Sequence, residues 1–319
     1  MSFFRPLIAL LLVLAGGAAQ AQAYPSKPIR LVVPFPPGSA TDHVARGFAN
    51  ALAPALGQPV VVDNKAGADG AIAGVEVMRA PPDGYTLMMG TNSPLAVAPA
   101  LKKQPPYDPL TDFTPIADVG RYTFFLVVHP SVPAQTLAEF IAHAKGNPGA
   151  INYGTGNTTG IVAVAQFASL AGVKMTHVPY KGEPQALTDL LAGRLHMMVV
   201  SAGTSIAHIR DGKLRALAVT LPNRSAMLPQ VPTIAEAGVP QFSIISWAAV
   251  VGPPRMPAEL VDRLNKEILA AMSRPEVLSV SERQAFQLTG STPARLGAFM
   301  KEQFDSYRGM LKAAGVEPE

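Results

Sequence analysis

Residues 29–57 read IRLVVPFPPGSATDHVARGFANALAPALG, and the fold turns on how this stretch is read. The apolar run 29–33 predicts a strand buried on both faces, as in a parallel sheet covered by helices. Val44, Phe48, Leu52 and Leu56 recur every four residues, so a helix over 41–56 turns one face inward and stops at Gly57. Between strand and helix, Pro34, Pro36 and Pro37 fix φ and remove backbone donors, which stiffens the connection. Gly38 permits an unusual dihedral or the close approach of a ligand, and Ser39, Thr41 or Asp42 can cap the helix. Such a loop, with Ala40 opening the first turn, presents a helix N-terminus suited to an anion. It would serve equally as a rigid connection that binds nothing.

Working outward, PVVVD (59–63) and YTLMM (85–89) read as further strands buried on both faces, with a helix over 71–79 between them. This β-α-β-α-β order begins a doubly wound α/β domain. A second α/β unit runs from Phe124, with strands at FFLVV, INYGTG, MTHVPY, LHMMVVS and LRALAVT and helices over 136–145, 160–172 and 184–193. A proline-rich passage follows, then a strand-like segment over 245–254 and two terminal helices over 257–273 and 292–315. Two α/β units and a late return segment predict two lobes, 24–122 plus 246–319 and 123–245, around a ligand cleft.

The first 23 of 319 residues predict a signal peptide: Arg5, an apolar PLIALLLVLAGGAA core and an AQA site cleaved after Ala23. That core is short of the roughly 20 residues a membrane span needs. Hydrophobic content of 48% and charged content of 15% describe an ordered globular chain. The absence of cysteine excludes disulfides, thiolate metal sites, cysteine nucleophiles and a lipidated anchor, which predicts a protein free in a periplasm. The 26 basic and 22 acidic residues are scattered, against a nucleic-acid partner.

Two further stretches carry hydrogen-bonding chemistry. Thr91, Asn92 and Ser93 follow a strand at the carboxyl edge where open α/β sheets bind ligands, or simply cap a short helix over 94–101. Gly154, Thr155, Gly156, Asn157, Thr158, Thr159 and Gly160 form a glycine and hydroxyl loop between strand and helix. Their spacing, G-x-G-x-x-x-G, departs from the dinucleotide fingerprint, and no acidic residue stands about 20 positions on. A set of N–H and O–H donors for a carboxylate fits better. No nucleophile elbow, zinc-helix motif or P-loop occurs, and the six histidines never fall at metal-binding spacing. Neither a cofactor nor a metal is expected. Trp247 reads as core or hinge packing, and His177 as the end of a strand or a cleft wall.

YPSKPIRLVVPFPPGSATD, ALGQPVVVDNKAGADG, APPDGYTLMMG, YDPLTDFTPIA, HVPYKGEPQALTDLLAGRL, LPQVPTIAEAG and MPAELVDRLNKEI, in this order, resemble the periplasmic receptors of tripartite tricarboxylate transporters, the Bug family. The resemblance implies a type II periplasmic binding protein, a Venus flytrap with two doubly wound lobes. It implies a receptor that captures a small organic carboxylate and delivers it to membrane transporter subunits, and a monomer is expected. A receptor reporting to a signalling partner and an exported α/β enzyme are the alternatives. It also implies that the carboxylate is held by the first loop (36–42) and the glycine loop (154–159) without an arginine, while Thr91–Ser93 and Ser201, Ala202, Gly203 and Thr204 select the rest of the ligand. Tyr180 is a further cleft candidate. Many members carry an acidic residue near Val200–Ser201; here the chain reads MVVSAGTS, which counts against an amino-acid ligand.

Overall fold

The computed structural model describes residues 24–313; the expected signal peptide and the last two residues of the helix expected over 292–315 lie outside them. The strands are β1 Ile29–Val33, β2 Val60–Asn64, β3 Thr86–Thr91, β4 Thr114–Tyr122, β5 Phe124–Val128, β6 Asn152–Thr155, β7 Thr176–Pro179, β8 Met197–Ser201, β9 Arg215–Val219, β10 Ser246–Gly252 and β11 Phe286–Leu288. The main helices are α1 Ala40–Leu56, α2 Ala71–Met78, α3 Leu137–Gly146, α4 Thr158–Ala171, α5 Glu183–Leu191, α6 Ala202–Arg210, α7 Ala258–Ala271, α8 Pro275–Gln284 and α9 Pro293–Ala313.

These strands form two sheets, ordered β11-β4-β10-β3-β1-β2 and β7-β6-β8-β5-β9. Each has a parallel heart: β1 pairs in parallel with β2 and β3, and β6 with β7 and β8. Antiparallel strands extend both sheets, β10 beside β3 and β5 beside β8, so each sheet is mixed. The chain crosses between sheets twice: at Thr123, the single residue between β4 and β5, and through 220–245. At the first crossing the Ala202 amide donates to Thr123 O over 2.8 Å, and the Thr123 hydroxyl donates to Ala285 O over 2.8 Å.

Helix α1 forms as its periodicity dictates. Ser39 caps it, the helix buries Val44, Phe48, Leu52 and Leu56, and Gly57 closes it at φ 71°. Trp247 is fully buried in the core between the first sheet and α9, edge-on to Phe299. Three expectations need correction. Strand β2 is not buried on both faces: it edges the sheet with β1 as its only neighbour, and Val61 is 51% exposed. Strand β4 went unrecognised, because Pro115 and Gly120 interrupt its apolar pattern. Three helices close the chain, not two: α8 and the short β11 lie between the two expected ones.

Candidate functional site

Where the parallel strands end, their loops converge between the sheets, and the four that follow β1, β6, β3 and β8 carry most of the expected residues. The first leads from β1 into α1. Its Gly38 stands at φ 81°, open to glycine without strain, and the Ser39 hydroxyl accepts from the Asp42 amide at 3.3 Å. The Asp42 carboxylate is turned back into its own lobe. It accepts from the Gly38 amide at 3.1 Å and the Asn64 side chain at 3.0 Å, and pairs with Arg46 at 2.9 Å. Burial alone would raise the Asp42 pKa, but these partners outweigh it and hold the carboxyl below the ordinary range.

The second leads from β6 into α4, capped by the Asn157 side chain accepting from the Gly160 amide at 2.9 Å. A side chain at Gly156 would collide with the Gly182–Glu183 backbone, so this loop needs glycine to seat on the start of α5. The Thr155 hydroxyl pairs with His177 Nε2 at 2.6 Å, and burial lowers the His177 pKa. The Thr158 hydroxyl is buried with no hydrogen-bond partner among the described residues.

Asn92, at the end of β3, is wholly buried and works inward. It donates to the Thr159 hydroxyl at 2.7 Å and to the Tyr307 hydroxyl at 3.2 Å, while its oxygen accepts from the Ser246 hydroxyl at 3.2 Å. Because Thr159 starts α4 and Asn92 ends β3, this residue ties the two sheets' loops together.

The fourth loop ends β8 and starts α6. Here the carboxylate that the MVVSAGTS sequence lacks is supplied from another element. Glu183, the first residue of α5, accepts from the Ser201 amide at 3.1 Å, the Thr204 hydroxyl at 2.5 Å and the Ser201 hydroxyl. Burial pushes its carboxyl pKa up, and the bonds from Ser201 and Thr204 oppose the rise.

These loops line a partly open cavity of about 390 Å³, of which about 30 Å³ is wide enough to hold water. Ser39, Ala40 and Thr41 line it from α1, and Gly156, Asn157 and Thr159 from the start of α4. Thr91, Ser93 and Ser201 complete the expected residues on its wall. Residues that reasoning from sequence missed are Phe35, Tyr122, Phe124, Glu183 and Ser246. Tyr122 donates its hydroxyl to Thr41 Oγ1 at 3.1 Å. Glu183 is the only charged side chain on the wall, which holds no lysine, arginine or histidine.

The remaining candidates stand off this cavity. Pro37 and Gly38 are exposed, and Pro36 packs across the cleft on Gly182, where an added Cβ would lie 2.6 Å from its Cγ. Gly154 and Ala202 are packed within their lobe, Gly203 sits against Gln284 of α8 in the other lobe, and Thr204 serves Glu183. Tyr180 lines a neighbouring recess with Asp69 and Lys181 and donates to Asp189 at 2.6 Å.

Residues 44–316 match the model of the tripartite tricarboxylate transporter family receptors. The chain belongs to this family. Protein BugT of Bordetella pertussis strain Tohama I is 35% identical over 323 residues, covering 99% of each chain. Rpa4515 of R. palustris, solved with adipate, superposes with a TM-score of 0.88 at 34% identity over 93% of this chain and 100% of that one. MatC from Rhodopseudomonas palustris, solved with malate, gives 0.85 at 28% identity over 90% and 100%. The family and these neighbours are binding proteins, and the fold is the two-lobed periplasmic binding fold. No described helix is long and apolar enough to cross a membrane, and no described cluster could hold a metal ion.

Proposed function

We propose that this receptor is exported to the periplasm after cleavage behind Ala23, captures a small organic carboxylate as a monomer, and delivers it unchanged to the membrane subunits of a tripartite transporter. Its lobes, 24–122 plus 246–319 and 123–245, part to admit the ligand and close over it. One observation carries the reading: the N-termini of α1 and α4 flank one cavity, where hydroxyl and amide side chains stand beside Phe35, Tyr122, Phe124 and Glu183 and no basic residue lines the wall. The first amides of a helix have no partner within it, and the dipole there favours negative charge. The relatives solved with adipate and with bound malate support the same ligand class.

The energetics suffice without an ion pair. Micromolar affinity needs about 8 kcal/mol, and each hydrogen bond to a charged group contributes about 1.5–3 kcal/mol. Four to six donors supply that and leave a margin for closing the lobes.

The test is thermal unfolding of the mature protein, refolded from denaturant to strip ligand, against acids paired with their amides. An acid at about a hundred times its dissociation constant stabilises by about 2.7 kcal/mol, whereas its amide has no effect. Equal shifts for acid and amide would refute anion recognition.

A further inference from the structure

The cavity wall is uneven in charge, and the unevenness has a consequence for what can fill it. Its neutral donors are Ser39 and Thr41 at the start of α1 and Asn157 and Thr159 at the start of α4. The wall also carries the carboxylate of Glu183, whose backbone abuts Gly156; it is only 6% exposed and faces no cation on the wall.

A carboxylate offers about four lone-pair sites for hydrogen bonds. Glu183 fills three of them from its own lobe: Ser201 and Thr204 hydroxyls on Oε1, and the Ser201 amide on Oε2. One acceptor position remains, on Oε2. These three donors also tie the helix α6 start to α5, so the carboxylate is held in place and does not swing to solvent.

Resting on the carboxylate-receptor reading above, we propose that Glu183 is the specificity-determining residue of this cleft, selecting acids with a single carboxylate and a separate N–H or O–H donor. The donor meets the open lone pair of Oε2, while the ligand's own carboxylate lies between α1 and α4. A dicarboxylate of the same length brings a second negative charge against Glu183 in a site shielded from water, where like charges repel strongly. This chain therefore disfavours the plain diacids that an all-neutral wall would accept.

The experiment is isothermal titration of ligand-stripped mature protein at pH 7.5 with length-matched sets: succinate, 4-hydroxybutanoate and 4-aminobutanoate, then adipate, 6-hydroxyhexanoate and 6-aminohexanoate. Wild type is expected to bind a hydroxy or amino acid roughly tenfold or more tighter than the diacid of its length. Glu183→Gln, which can donate, is expected to reverse that order. Diacid binding as tight as that of its partners, unchanged by the substitution, would overturn the proposal and leave Glu183 as the cap of α6. Diacid binding with uptake of one proton, read from enthalpies in buffers of different ionisation heat, would also overturn it. Both wild-type readouts stand if the variant fails to fold. If acids bind without the preference, only the role of Glu183 falls; if no acid binds, the carboxylate reading falls with it.

Discussion

Asp42 and Glu183 are two buried carboxylates at the starts of two helices, one on each side of the same cleft. Asp42 is 3% exposed and Glu183 6%. Asp42 keeps a cation, Arg46, and two further donors within its lobe, so its charge is spent on holding the loop after β1 against β2 through Asn64. Glu183 has hydroxyls and one amide but no cation. The difference teaches which acids build the site and which address the ligand: a buried charge neutralised by its own lobe is scaffold, and one left without a counter-charge on the cavity wall sets terms for what enters.

The largest effect is expected where the helix bearing Glu183 meets the other lobe. Gly182→Val would drive a side chain into Pro36, whose Cγ lies 2.6 Å from an ideal Cβ there. Closure is blocked, and affinity for the best acid should fall about 100-fold, or about 2.7 kcal/mol, with the unliganded protein's urea midpoint little changed.

Next is the scaffold acid. Asp42→Asn removes the charge that three donors were placed to meet, and should cost about 1.5–3 kcal/mol in urea unfolding at pH 7. Ligand order in the titration panel should not change, which separates Asp42 from Glu183. Ser39→Ala removes the cap on the Asp42 amide and should cost about 1 kcal/mol.

The finest distinction is in pH. The folded pKa of Asp42 lies below its unfolded value, so its contribution is complete above the unfolded range near about 3.9 and is lost as pH falls through the folded value. The folded pKa of Glu183 lies above its unfolded value near about 4.3, so the native state holds the proton longer. Ligand-free stability therefore declines as pH rises from there through the folded pKa. Urea midpoints from pH 2 to 8 should show Asp42→Asn losing to wild type only as pH rises toward about 3.9 and running parallel to it above, and Glu183→Gln gaining on wild type as pH rises above about 4.3.

The contrast also explains what could be read from sequence. Local chemistry was legible: the prolines, Gly38 and Ser39 between β1 and α1 are neighbours in the chain, and so are Asn157 and the Gly160 amide it caps. The alternating strands and helices followed from periodicity for the same reason. Glu183 was not legible, because Ser201 and Thr204 lie 18 and 21 residues away and meet it only when β8 lies beside β6. Asn92 misled for a related cause. Its position after β3 suits a ligand contact, but its partners Ser246 and Tyr307 arrive from the far end of the chain and turn it inward. Helix α6 was missed because AGTS after a buried strand looks like loop, and its amide-rich start is completed by Glu183 rather than by a cap of its own.

The most direct measurement is a crystal structure of the mature protein with the tightest-binding acid of the panel. The ligand carboxylate should lie between Ser39–Thr41 and Gly156–Thr159, on the first amides of α1 and α4, with no basic side chain in contact. A carboxylate held elsewhere, such as the groove between α3 and β9 where Arg215 and Arg224 stand, would contradict capture by helix starts.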